Sequence, residues 1–252
     1  MKPKKSLGQN FLISTRVSNA IAGAGNIKEG EIVLEIGPGK GALTKELLAA
    51  GAHVIAIEKD ESLVAILQEK FGKEISEKRL EIIPGDVLSS AYQLPTTSYK
   101  LIANIPYYIT GAIIEKFCSS ENPPTCAVLM VQKEVAERIL ARDGKESILS
   151  ISVKIFGTPS IVMRVSRGNF FPIPNVDSAV LKIENIKNPF SSKKEEEKFF
   201  DIVKKGFAHK RKKLTSNLGL SAEEIEMFGI PKNARAEDMP LAFWKNLAEK
   251  II

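Results

Sequence analysis

Four consecutive residues, Asn104-Ile105-Pro106-Tyr107, bring together a carboxamide, a backbone carbonyl and an aromatic ring. They follow a short apolar run over residues 100–103, which is typical of the end of a buried strand. Pro106 ends the strand because it has no backbone donor, and Ile105 is held extended because it precedes proline. Since ligands of open α/β sheets bind where parallel strands end, the tetrapeptide is predicted to face a ligand.

The tetrapeptide has the groups needed to hold the exocyclic amine of an adenine. The lone pair of such an amine is delocalised into the ring, so the nitrogen is a poor nucleophile. Acceptors on Asn104 and on the Ile105 carbonyl would favour a pyramidal nitrogen aimed at a methyl donor, while Tyr107 stacks on the base. Transfer of a methyl group to this nitrogen depends on positioning and electrostatics more than on a strong base. The alternative is a turn that only ends a strand, with Tyr107 in the core.

A glycine-rich turn, Gly37-Pro38-Gly39-Lys40-Gly41, follows an apolar, β-branched strand at residues 31–36. Its glycines let the backbone approach a ligand closely. Glu58 ends the next predicted strand about 20 residues further on, where an acid that binds ribose hydroxyls is expected. These residues do not decide whether the cofactor is NAD or S-adenosylmethionine. The remaining interpretation is a glycine turn that serves only packing.

Two further features fit a nucleotide and a base. Asp86 follows the third strand, where it could accept a hydrogen bond from an adenine amino group or simply shape a turn. Residues 169–178 form an aromatic, proline-rich loop, in which Phe170 is predicted to face Tyr107 across a slot for an unstacked adenine. The alternative for this loop is a plug in the core, which is the role we expect for Phe171.

The net charge of +6 is unevenly distributed. Ten positions, 204–213, contain six basic residues and no acidic ones. These six residues, the basic cluster, are Lys204, Lys205, Lys210, Arg211, Lys212 and Lys213. Together with a basic N-terminal arm (residues 1–13), the cluster favours RNA, because such a surface can follow phosphates. A solvated helix face is the alternative, since residues 195–197 are acidic.

Composition narrows the class of protein. The chain is 44% hydrophobic and 26% charged, and it contains no apolar run long enough to cross a membrane. No apolar segment of a secretory signal follows the first basic residues. Cys118 and Cys126 have no partnering histidine cluster, so we expect reduced thiols and no metal site. A monomeric, cytoplasmic protein is the expectation.

Predicted strands alternate with predicted helices, which indicates a mostly parallel sheet. The strands are expected at residues 31–36, 54–57, 80–83, 101–103 and 127–131, followed by an antiparallel pair at 160–165 and 179–183. Helices are expected at residues 14–24, 42–50, 61–71, 109–117, 133–142 and 147–156. Beyond a linker-like change in composition, residues 188–252 have only helical periodicity. We therefore predict an α/β domain over residues 1–187 and a small helical domain over 188–252.

Five motifs occur in an order that resembles one family. They are Ser6-Leu7-Gly8-Gln9-Asn10-Phe11-Leu12, Glu35-Ile36-Gly37-Pro38-Gly39, the tetrapeptide, Val131-Gln132-Lys133-Glu134-Val135-Ala136, and residues 170–178. Over nearly its whole length, the chain is similar to the KsgA/Dim1 family of ribosomal RNA adenine dimethyltransferases, and most to its bacterial KsgA branch. One departure is Ile173, where relatives often have proline, and we expect it to have little effect.

The resemblance implies a Rossmann-like, class I methyltransferase with S-adenosylmethionine as donor. It implies dimethylation at N6 of two adjacent adenosines near the 3′ end of 16S rRNA, late in assembly of the immature small subunit. The implied cofactor site comprises Asn10, Leu12, Gly37, Gly39, Glu58, Asp86, Val87 and Asn104. The implied catalytic residues are Asn104, Ile105, Pro106, Tyr107 and Phe170.

Three alternatives remain. Erm methylases share the Asn-X-Pro-Tyr and phenylalanine motifs but act on large-subunit RNA; the arm, residues 131–136 and residues 209–214 look more like KsgA. An assembly factor that no longer needs catalysis could keep the fold, although the site residues are all present. An NAD oxidoreductase would need a proton relay, which the sequence does not reveal.

Overall fold

The computed structural model describes residues 3–4, 7–89 and 95–250. Ser6 of the first motif, and Lys2 and Lys5 of the basic arm, lie outside these residues. The described strands are β1 (Phe11–Leu12), β2 (Ile32–Ile36), β3 (His53–Glu58), β4 (Leu80–Pro84), β5 (Tyr99–Asn104), β6 (Cys126–Gln132), β7 (Thr158–Val165), β8 (Phe170–Phe171) and β9 (Ser178–Glu184). Every predicted strand is present, and most are a residue or two longer.

Seven of these strands form one sheet in the order β4-β3-β2-β5-β6-β9-β7. The first five are parallel, and β9 runs antiparallel to both of its neighbours. The sheet forms because its central strands are apolar throughout: in β6 all residues from Cys126 to Val131 are buried. The predicted α/β class, with a mostly parallel sheet and an antiparallel last strand, is confirmed.

A second, two-stranded ladder was not predicted. In it β1 pairs antiparallel with β8, so that Leu12 lies opposite Phe170 and Phe11 lies opposite Phe171. The ladder joins the N-terminal arm to the aromatic loop.

The described helices are α1 (Thr15–Ala24), α2 (Ala42–Ala49), α3 (Glu61–Lys70), α4 (Gly72–Ser76), α5 (Thr110–Cys118), α6 (Lys133–Leu140), α7 (Ile148–Lys154), α8 (Lys193–Phe207), α9 (Leu214–Leu218), α10 (Ala222–Met227) and α11 (Leu241–Lys250). No described helix is long and apolar enough to span a membrane.

The chain forms two compact units. The sheet unit extends to Ala136 and includes Gly157–Lys187, whereas the helical unit contains Glu137–Phe156 and continues from Asn188. The predicted division at residue 188 had placed residues 137–156 with the sheet. They belong with the helices because Phe156 packs against Phe190 and Phe200, with ring centroids 6.0 and 6.2 Å away. Elsewhere in the helical unit, Trp244 is fully buried and stacks on Phe207.

Candidate active site

A cavity lies at the carboxyl ends of β2, β3 and β5, which are parallel neighbours in the sheet. Its wall includes arm residues 7–12, the glycine turn, the last residues of β2, and the segments that follow β3, β4 and β5. The predicted site residues that line it are Asn10, Leu12, Gly37, Gly39, Glu58, Asp86, Val87, Asn104, Ile105, Pro106 and Tyr107. One cavity therefore unites the two predicted parts of the site, the nucleotide end and the tetrapeptide.

The glycine turn needs glycine for two different reasons. Gly37 and Gly39 have φ values of 64° and 60°, a left-handed conformation that other residues rarely adopt. A Cβ added at Gly37 would meet no atom within 4 Å, so the backbone is open on the side that lines the cavity. A Cβ at Gly39 would lie 3.2 Å from the ring of Phe11, so this glycine lets the arm pack closely on the turn.

Glu58, the last residue of β3, holds the glycine turn in place. One carboxylate oxygen accepts a hydrogen bond from the Gly39 amide at 3.0 Å, and the other accepts from the Asp60 amide at 2.9 Å. Burial raises the pKa of Glu58, although these amide hydrogen bonds oppose the shift. Each oxygen can accept a second hydrogen bond, so the side chain can still bind a ligand hydroxyl.

Glu35 is a lining residue to which the sequence interpretation gave no role. It lies in β2, is 1% exposed, and its Oε2 has no hydrogen-bond partner among the described residues. Burial, together with the charge of Glu58, raises its pKa to about 8. A single acid inside the apolar run Ile32-Val33-Leu34-Glu35-Ile36 was the signal that could have identified it.

Asp86 is tied to the segment after β3. Its Oδ2 accepts a hydrogen bond from Lys59 Nζ at 2.8 Å, and its Oδ1 accepts from the Leu88 amide at 2.9 Å. The hydrogen bond from Lys59 is the main reason that the pKa of Asp86 is lowered. The Asp86 side chain is 40% exposed and therefore remains accessible at the edge of the cavity.

The tetrapeptide follows β5 as predicted: Asn104 is the last strand residue and Pro106 precedes a 3-10 turn at Tyr107–Ile109. The Tyr107 hydroxyl lies 2.6 Å from the Ser178 hydroxyl, and Ser178 is fully buried at the start of β9. The Thr110 hydroxyl also donates to the Tyr107 carbonyl at 3.0 Å. These bonds fix the Tyr107 ring and join the tetrapeptide to the end of the aromatic loop.

The structure corrects the predicted positions of two phenylalanines. Phe170 is 1% exposed and does not line the cavity, whereas Phe171 is 56% exposed. The β1–β8 ladder directs the two side chains to opposite faces, and Phe170 packs with Leu12 in the hydrophobic core. A second aromatic residue of the cavity wall, Tyr108, is 67% exposed and was not predicted.

All six residues of the basic cluster are exposed in the helical unit. Lys204 and Lys205 lie in the last turn of α8, and the other four belong to the segment that connects α8 to α9. In the described part of the chain, none of the six forms an ion pair. Among the described residues, no group of three or more histidine, cysteine, aspartate or glutamate side chains is arranged to hold a metal ion.

The fold and the cavity define a class I methyltransferase. The structure superimposes on that of the 23S rRNA methyltransferase ErmE with a TM-score of 0.76 and 24% identity, over 95% of this chain and 98% of the other, which shows the shared fold. A dimethyladenosine transferase from Plasmodium falciparum matches with a TM-score of 0.73 and 30% identity, over 95% of this chain and 87% of the other.

Sequence comparison gives the family. The model for ribosomal RNA adenine dimethylase matches residues 1–252. The chain is 39% identical over 258 residues to ribosomal RNA small subunit methyltransferase A of Dehalococcoides mccartyi (strain CBDB1), covering 98% of this chain and 88% of that protein. The protein therefore belongs to the ribosomal RNA adenine dimethylase family.

Proposed function

We propose that this protein transfers methyl groups from S-adenosylmethionine to N6 of two adjacent adenosines near the 3′ end of 16S rRNA. The products are N6,N6-dimethyladenosines, formed in the immature small ribosomal subunit. Family membership and the name of the Dehalococcoides relative support this proposal. The observation that carries it is that Asn104 and Tyr107 line the same cavity as the glycine turn. The proposed location is the cytoplasm, and the proposed acting form is a monomer.

The cavity residues fit S-adenosylmethionine, which when bound supplies an electrophilic methyl group on a sulfonium sulfur. The open backbone at Gly37 leaves room for close approach. Glu58 has acceptor capacity for ribose hydroxyls, and Asp86 has it for an adenine amino group. Oε2 of Glu35, which is buried and has no partner among the described residues, suits a cationic group such as the ammonium of the methionine part. Asn10, Leu12 and Val87 would complete the wall around this ligand.

The tetrapeptide would hold the target amine. In the proposed complex the Asn104 carboxamide oxygen and the Ile105 carbonyl accept the two amino hydrogens, which frees the nitrogen lone pair for attack. Tyr107, already fixed by Ser178, presents its ring to the base. Phe170 acts from the core, where it supports Leu12 in the cavity wall. This mechanism relies on positioning rather than on a strong base.

The basic cluster is the proposed RNA-binding surface. Its six cations are exposed and unpaired within the described residues, so they can neutralise phosphates without first breaking ion pairs. Binding through such contacts weakens steeply as salt increases.

Replacing the amine-binding carboxamide tests the proposal. We expect Asn104→Ala to lower methyl incorporation into precursor small subunits by at least about 100-fold, because the amine is no longer oriented. RNA binding should stay nearly unchanged. Asn19→Ala, at an exposed position of α1, is the matched control. Methylation by Asn104→Ala at close to the wild-type rate would contradict the assigned role.

A further inference from the structure

The first part of the N-terminal arm, before β1, binds one buried carboxylate. Lys4 Nζ donates to Asp60 Oδ1 at 2.8 Å, and Gln9 Nε2 donates to Asp60 Oδ2 at 2.8 Å. The Lys4 amide also donates to Gln9 Oε1 at 2.7 Å, so the two arm residues brace each other. Each oxygen of Asp60 therefore accepts a hydrogen bond from the arm.

Asp60 lies behind the cavity rather than in its wall. It is 2% exposed and is not among the lining residues, whereas Gln9 and Asn10 are. Its backbone amide donates to Glu58, which in turn accepts from Gly39. A continuous chain of hydrogen bonds thus runs from the glycine turn, through Glu58 and Asp60, to the arm.

The burial of Asp60 makes the arm contacts strong. Because Asp60 is shielded from water while the arm is in place, its contact with the Lys4 ammonium is screened less than a contact at an open surface. Consistent with this, hydrogen bonds from Lys4, Ser62 and Gln9 outweigh the effect of burial and lower the pKa of Asp60. Lys4 is half exposed, but its partner oxygen is not, which distinguishes this pair from an ordinary surface ion pair.

We propose that Asp60 is a positioning residue that holds the N-terminal arm over the cofactor cavity. Through Gln9 it fixes the neighbouring Asn10 as part of the wall, ahead of the residues that the β1–β8 ladder holds, and so controls how tightly the cofactor is retained. The inference rests on the proposed function in one respect, namely that the ligand is S-adenosylmethionine.

If Asp60 served only as a helix cap, replacing it with another good capping residue would leave cofactor binding unchanged. Asp60 is also the N-cap of α3, where it accepts a hydrogen bond from the Ser62 amide at 3.1 Å. Asparagine caps helices about as well as aspartate, so Asp60→Asn preserves the cap. It removes the charge that pairs with Lys4 and one of the two acceptor oxygens. Gln9→Ala tests the same contact from the arm, with no change to the helix.

The test compares Asp60→Asn, Gln9→Ala, the double variant and, as a control at an exposed position of α3, Gln68→Ala. We expect each of the first two to raise the dissociation constant and the KM for S-adenosylmethionine about 10- to 100-fold, with kcat at saturation nearly unchanged. The two effects should be less than additive in the double variant, because both single changes weaken the Gln9–Asp60 contact, although Asp60→Asn also removes the charge that pairs with Lys4. Gln68→Ala, which touches neither Asp60 nor the arm, should bind within about twofold of wild type. Wild-type affinity in both single variants would overturn the proposal.

A measurement without cofactor separates this inference from the proposed function. Amide hydrogen exchange of residues 7–10 should be faster in Asp60→Asn and Gln9→Ala than in wild type, and unchanged in Gln68→Ala. This result would support the anchoring of the arm even if the wild-type protein failed to bind S-adenosylmethionine, which would instead count against the proposed function. Unchanged exchange in both variants would show that Asp60 does not hold the arm.

Discussion

Glu35 places an acid in the interior of β2, and its titration should make stability depend on pH. Its pKa is raised from 4.5 to about 8, chiefly by burial. When the protein unfolds, the carboxyl group returns to water and ionises at its ordinary pKa. Between these two values the unfolded state holds fewer protons than the folded state at this site, so raising the pH favours unfolding.

The size of the effect follows from the two pKa values. A pKa difference of about 3.5, at about 1.4 kcal/mol per unit, corresponds to about 5 kcal/mol of stability. This contribution is fully present below pH 4.5 and is lost as the pH rises to 8. Since domains are typically stable by about 5–15 kcal/mol, the loss is a large fraction of the total.

The perturbation is Glu35→Gln, which keeps the size of the side chain and removes the titration. Urea unfolding followed by far-UV circular dichroism should show that the variant gains stability over wild type as the pH rises from 5 towards 8. Glu81→Gln removes the same charge at an exposed position of β4 and is the control. Parallel pH profiles for wild type and Glu35→Gln would refute the assignment of the raised pKa to Glu35.

Three further outcomes are expected. Tyr107→Phe leaves the buried Ser178 hydroxyl without its partner, so it should lower the free energy of unfolding by about 1–3 kcal/mol and also reduce kcat. Adding Ser178→Ala to this variant should restore part of the stability but not the rate. Phe170→Ala should cost about 3–5 kcal/mol in urea unfolding because Phe170 is in the core, whereas Phe171→Ala should not; equal losses would contradict their positions. Replacing residues 210–213 with glutamine should make the slope of log affinity against log salt less steep, by about 0.7–0.9 per lost phosphate contact. An unchanged slope would place the RNA surface elsewhere.

Sequence patterns predicted several residues that line the cavity, because it lies at strand ends. The apolar runs located the strands, and the rule that parallel strands end at one edge brought Gly37, Glu58 and Asn104 together. What escaped prediction depends on pairing between distant segments. The strands of the β1–β8 ladder are two residues long, which is too short for any periodicity, and that pairing decides which phenylalanine is buried.

Asp60 escaped prediction for a similar reason. An aspartate directly before a helical run is the usual pattern of an N-cap, and that role is present. Nothing in the local sequence indicates that Lys4 and Gln9 reach it from more than fifty residues away. Residues 137–156 show the same limit, since their helical pattern was correct but their unit was decided by contacts with Phe190 and Phe200.

The most direct test of the central claim is methyl incorporation from labelled S-adenosylmethionine into unmethylated ribosomal subunits, with the modified nucleotides mapped. The proposed function predicts label in 16S rRNA of the small subunit, as N6,N6-dimethyladenosine at two adjacent positions near the 3′ end, and its loss in Asn104→Ala. Label confined to large-subunit RNA would contradict the claim and favour an Erm-type activity. Binding to the small subunit without any label would instead indicate an assembly factor that does not use catalysis.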